Sequence, residues 1–153
     1  YTSCTCASGS EWKDGSCQKK EILNGPDGNV YKCNGTVVGV KADNMEFYIG
    51  MTDLGYMNLE NGRNQCSSYS FCNYVKGTLP DKEQLVTIYN NKSSINSLLS
   101  VNAGTQLTND YYWSSTLYDS FFGCYGVNMS NGDVSYGWGN GSSHYVRPIL
   151  TSW

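Results

Sequence analysis

The chain has 153 residues, 39% of them apolar, 14% aromatic and 15% charged. That is the size of one domain able to bury roughly 70% of its unfolded surface, which excludes extended disorder of the whole. Ten basic against thirteen acidic side chains leave no positive field to hold nucleic acid, and no apolar run is long enough to span a bilayer.

The seven cysteines crowd the front of the chain: Cys4, Cys6, Cys17 and Cys33, then Cys66 and Cys72, then Cys124 alone. With no CxxC pair and His144 as the only histidine, the spacing matches no zinc template, so disulfides in an oxidising compartment are expected and no metal or cofactor is. Spacing alone names no bridge, and the odd count leaves one thiol over. Tyr1 opens the chain with neither a methionine nor an apolar h-region. The expectation is a processed product or a piece of a longer protein, with any signal peptide or anchor outside it.

In chain order, residues 1–35 read as a short cysteine-rich segment with the turn run Asn24-Gly25-Pro26-Asp27-Gly28, too poor in apolar residues for a core of its own. Residues 36–153 read as the main domain. Val37, Val38 and Val40, then Phe47, Tyr48 and Ile49, predict a strand pair. Asn58 caps a predicted helix running to Tyr69, with Leu59, Gly62, Arg63 and Cys66 on one face; Gly62 should weaken it by about 1 kcal/mol against alanine. Asp81 and Gln84 make a capping-box-like start to a second helix carrying Leu85, Ile88 and Tyr89, and Ile95, Leu98 and Leu99 suggest one further short turn.

The period then changes to two. Val127 and Met129 alternate with Asn128, Asn131-Gly132 supplies a type I′ turn, and Val134 alternates with Asp133 and Ser135, so a hairpin is predicted with Tyr125, Val127, Met129 and Val134 on the core side. A last strand over 145–150 contains Pro148, which suits an edge or a bulge. Helices early and antiparallel strands late, without strand–helix–strand alternation, give an α+β class.

Six blocks in this order carry a resemblance: GTVVGV at 35–40, the helix with Cys66, TLPDKEQL at 78–85, YYWSST at 111–116, VNMSNGDV at 127–134 and YVRPI at 145–149. Together they resemble the C-terminal domain of collagen-like bacterial adhesins, a bacterial branch of the C-type-lectin-like fold. Gly77 and Thr78 depart from a usual Trp-Arg pair, and Leu59 and Gly62 from an aromatic and an alanine. The resemblance implies a C-type-lectin-like domain with two helices and an antiparallel sheet. Some members are similar to variable proteins of diversity-generating retroelements, in which copying errors at template adenines rewrite selected codons. Residues 118–144 look like such a region: they lack Lys, Glu and Gln, and only Met129 and Trp138 cannot come from a codon ending in a pyrimidine.

Composition points independently to binding. Tyr118, Phe121, Phe122, Tyr125, Tyr136 and Trp138 stand among glycines, serines and asparagines, with Asp119 and Asp133 as the only acids, a mixture typical of antibody paratopes. The expected contact surface is Tyr118, Asp119, Ser120, Phe121, Phe122, Ser135, Tyr136, Trp138, Asn140, Ser142, Ser143 and His144. Tyr125 and Trp113 are expected in the core, and Ser114, Ser115 and Thr116 to satisfy backbone groups. Catalysis is not expected, because the sole imidazole sits in a serine-rich loop and Cys124 has no neighbouring cysteine. Asp119 and Asp133 form no spaced ligand set for a hard cation.

The expectation is a secreted or cell-surface bacterial protein recognising a protein or glycan on a host or bacterial surface through a hypervariable tip. A fixed-specificity glycan-binding adhesin and a pilus or surface-fibre subunit are the alternatives. Sulfated polymers suit it poorly, since Arg147 is the only basic residue beyond Lys92.

Overall fold

The structure is a computed structural model of the chain and describes residues 10–13, 15–19, 22–73, 75–119, 123–136 and 141–153. For 10–13, 17–19 and 119 the description is of backbone. The elements begin with β1 (Ser10–Lys13), β2 (Ser16–Lys19), β3 (Gly25–Asp27), β4 (Val30–Cys33), β5 (Thr36–Val40), β6 (Tyr48–Gly50) and β7 (Gly55–Met57). Then come α1 (Leu59–Ser68), β8 (Ser70–Cys72), β9 (Val75–Lys76), α2 (Lys82–Asn90) and α3 (Lys92–Val101). The last are β10 (Tyr111–Asp119), β11 (Gly123–Asn128), β12 (Val134–Ser135), β13 (His144–Val146) and β14 (Ile149–Leu150). The class is mixed α+β, with mostly antiparallel sheets.

Two five-stranded sheets organise the chain, in the orders β12-β11-β10-β13-β7 and β14-β6-β5-β4-β3. In the first, only the β10–β13 pairing is parallel, Tyr112 opposite Tyr145. Strand alternation sends Trp113, Cys124 and Val146 to one face, where Cys66 of α1 and Leu79 meet them. Tyr112 and Val127 go to the other, where they pack with Leu85 and Ile88 of α2 and Ile95 and Leu99 of α3. Val40, Ile49 and Ile149 of the second sheet join that same cluster, so one core serves both sheets. Behind the second sheet, Tyr31, Tyr48, Phe71, Cys72 and Leu150 form a smaller cluster.

The helix caps follow the sequence. Asn58 accepts from the Asn61 N–H at 2.9 Å, and the Asp81 box closes both ways, Gln84 N–H to Asp81 Oδ1 at 2.7 Å and Asp81 N–H to Gln84 Oε1 at 2.8 Å. Gly62 has a role that propensity does not show: a Cβ there would lie 2.9 Å from Cγ2 of Val146, so the bare backbone lets α1 lie close on β13. The helices number three among the described residues, against an expectation of two and a turn. Ile95 and Leu99, one helical repeat apart, are both fully buried, and this anchors α3 over ten residues rather than one turn.

Two further expectations need correction. The β11–β12 hairpin forms, Val127 opposite Val134, but its turn is not type I′. That turn needs positive φ at Asn131 as well as at Gly132, and only Gly132 has it, at 82°. Instead Asn128 Oδ1 accepts from the Ser130 N–H at 2.8 Å, and Gly132 N–H reaches the Asn128 carbonyl at 2.7 Å, so the loop spans residues 129–132. Residues 145–150 are not one strand. β13 lies inside the first sheet and β14 at the edge of the second, and Arg147-Pro148 carries the chain between them. The missing N–H of Pro148 thus falls at the switch, where its carbonyl accepts from Gly50 N–H at 2.8 Å. β3 and β4 extend the second sheet, and Cys33 is disulfide-bonded to Cys72, so the sheet runs straight across the boundary expected at 35. Tyr31 supplies a buried ring on the near side of that boundary, and backbone pairing does the rest.

Candidate functional site

The free margin of the first sheet is built by the end of β10, the start of β11 and the edge strand β12. Backbone and hydroxyl bonds tie this margin to the start of α2: Ser115 N–H to the Pro80 carbonyl at 2.8 Å, and Lys82 N–H to Thr116 Oγ1 at 2.9 Å. β10 is irregular beyond Trp113, its register against β11 shifting twice before Asp119 meets Gly123. Such bulges twist a strand and re-aim its side chains.

On this margin Tyr118 and Tyr136 stack with ring centroids 3.9 Å apart and planes at 23°. Tyr125 stands edge-on to both, at 5.7 Å and 5.6 Å. The Lys82 ammonium sits over the Tyr125 ring, 4.4 Å from its centre, and 3.7 Å from the Glu83 carboxylate. Tyr118 remains 43% exposed and Tyr136 52%, with Leu117 and Val134 also open to solvent. Beside the stack, Lys82, Glu83, Val86, Thr87 and Val134 line an open groove of about 460 Å³.

Of the expected contact residues, Tyr118, Ser135, Tyr136, Ser142 and Ser143 have described side chains outside the core, Ser135 paired with Gly126 and the other two serines half-buried. Asp119 is described by its backbone, and Ser120, Phe121, Phe122, Trp138 and Asn140 lie outside the described residues. His144 must be corrected: it is only 9% exposed, its ring 4.6 Å from that of Trp113 and 5.7 Å from that of Tyr111. Burial lowers its pKa from the ordinary 6.5, against a smaller opposing pull from Asp110. The first residue of a strand points by alternation, and His144 shares the inward face with Val146.

Tyr125 is corrected the other way. Its ring is half-buried and belongs to the tyrosine cluster rather than to the core. Parity placed it on the α2 face, but α2 begins only at Lys82, so its ring lies beyond the apolar part of the helix, under the lysine. Lys82 was missed by sequence reasoning; its signal was its place just after the capping Asp81, which fixes where α2 starts. Cys124 is buried beside the hairpin, and Arg63 Nη2 donates to its Sγ at 3.1 Å.

A largely buried ionic knot lies away from this margin, where the chain passes from β13 to β14. Arg147 donates from Nε to Asp53 Oδ1 at 2.9 Å, from Nη1 to the carbonyls of Gly50 and Thr105, and from Nη2 to that of Gln106. Asp53 also accepts from the Tyr112 hydroxyl at 2.7 Å and the Thr108 hydroxyl at 2.6 Å. Burial, then the Asp53 charge, raises the Tyr112 pKa. Every partner is structural, so the knot holds rather than reacts.

No protein-family model matches the chain, and no curated protein matches it significantly. The chemistry of the margin must therefore speak for itself. Among the described residues it offers ring faces, hydroxyls, the Lys82 ammonium and the Glu83 carboxylate at an open surface. Among the described residues no three His, Cys, Asp or Glu side chains converge, and no helix is long and apolar enough to cross a membrane.

Proposed function

We propose that the chain is a secreted or cell-surface bacterial recognition protein with a C-type-lectin-like domain, and that residues 118–144 hold a hypervariable ligand-binding surface diversified by a retroelement. The observation that carries this reading is the solvent-open stack of Tyr118 on Tyr136, seated on Tyr125, at the margin of a sheet and inside the stretch whose residue types fit adenine-directed rewriting. Exposed tyrosines give large, rigid contact area at small entropic cost, whereas a core would use branched aliphatics. The ligand is a protein or a glycan on a host or bacterial surface, and the role is binding rather than turnover.

Two tests apply. The gene neighbourhood should hold a near-copy of the segment encoding residues 118–149 that differs only at adenines, beside a reverse transcriptase. Its absence would return the protein to a fixed-specificity adhesin. In a screen of immobilised glycans and surface proteins, any ligand found should lose at least about 30-fold in affinity on Tyr136→Ala, the usual cost of a central aromatic. Binding left unchanged by Tyr118→Ala and Tyr136→Ala together would sink the assignment of this margin. A pilus or surface-fibre subunit would instead polymerise without any ligand.

A further inference from the structure

His144 is the only imidazole in the chain, and it opens β13 directly after residues 141–143. Three elements surround it. β10 brings the rings of Trp113 and Tyr111 and, just before the strand, the exposed Asp110 carboxylate. β7 brings Met57 opposite His144 in register. α1, packed on this face through Gly62 and Cys66, carries Glu60 and Arg63 as its charged groups, both exposed, and Arg63 is engaged with Cys124. The exposed Asp110 carboxylate is screened by solvent, so the apolar wall of Trp113 and Tyr111 decides: charging the ring there is unfavourable.

The strand that carries it is short, sealed at Val146 against α1 but with few backbone ties at its His144 end. β13 has three residues, a single pair with β10 and three pairs with β7, itself a three-residue edge strand. Just beyond, Arg147 is clamped by its four acceptors, and this stops any opening from spreading. A short strand end with few backbone ties can open well below the free energy of global unfolding.

We propose that His144 is an acid-sensitive latch: its protonation frees β13 and residues 141–143 from β10 and β7 while α2 and α3 stay folded. The sign follows from linkage. The opened form takes up a proton near the ordinary histidine value of 6.5, and the closed form, whose pKa burial lowers, does so only at more acid pH. The closed form is therefore fully favoured above that ordinary value and loses ground as pH falls below it. The latch operates whether or not the adjacent margin binds a ligand.

The test is amide hydrogen exchange followed by NMR on the whole chain, from about pH 7.5 to about pH 5.5, together with the titration of the His144 ring. Protection of the β13 amides, relative to those of Leu85 and Leu99, should fall by up to about tenfold over this range. In His144→Phe, which fills the pocket without a titrating group, the ratio should stay flat. A flat ratio in the unaltered chain overturns the proposal, and so does the same fall in the phenylalanine variant. If that variant fails to fold, the unaltered chain still decides, because a fall shared equally by Leu85 and Leu99 is global unfolding and contradicts a latch.

Discussion

A guanidinium that is 2% exposed survives only because its donors find oxygen, and Arg147 finds one carboxylate and three carbonyls. Replacing it by methionine of similar length leaves the Asp53 carboxylate uncompensated. Arg147→Met is therefore expected to lower the unfolding free energy by about 3–5 kcal/mol in chemical denaturation. The buried thiols make a second case. Desolvation pushes Cys66 up to about 12, and it also raises Cys124 despite the lowering effect of Arg63. Both stay protonated at neutral pH, and thiolate is the reactive form. Maleimide should thus leave Cys66 and Cys124 unmodified in the native protein and label them once denaturant is added, as peptide mass spectrometry would record. The odd count in the sequence leaves at least one cysteine over, but that both Cys66 and Cys124 are unpaired and shut away depends on packing between α1 and β11.

Elements with short-range signals were legible. The caps at Asn58 and Asp81 lie within three residues of the groups they satisfy, and the alternation around Val127 marks the hairpin. Elements decided by distant contacts were not. The Asn128 side chain captures the turn that Asn131-Gly132 advertises, and residues 145–150 divide between two sheets because Ile149 pairs with Ile49 rather than continuing beside β7. Gly62 separates the two kinds of reasoning most sharply. Propensity says that Gly62→Ala should stabilise α1 by about 1 kcal/mol. The contact with Val146 says that the added methyl overpacks the helix against β13, at a cost of about 1–3 kcal/mol. Thermal melts should therefore show the variant less stable, and a stabilised protein would mean that α1 shifts freely on the sheet.

At the scale of the molecule, the Cys33–Cys72 disulfide ties β4 to β8 across 39 residues of sequence. Loop entropy on that span gives about 3–4 kcal/mol, so reduction under otherwise native conditions should lower the denaturation midpoint accordingly. Spacing could not name this bridge, since seven cysteines permit many pairings; the fold names it by placing the two Cα atoms 5.2 Å apart. The candidate site was legible in a similar measure. Residue types pointed to the stretch, whereas the buried His144 and the half-buried Tyr125 depend on where α2 starts and on how β13 is threaded.

Asp53 receives both Tyr112, ahead of the tyrosine-rich stretch, and Arg147, behind it. One carboxylate therefore works as a drawstring, gathering the two ends of the strands and connections between them. Closing a longer loop costs only about 0.6 kcal/mol for each doubling of its length. Insertions or deletions in the connections between these strands, rather than within β10, β11 or β13, consequently tax the fold lightly, so such connections can change in length as well as in letters.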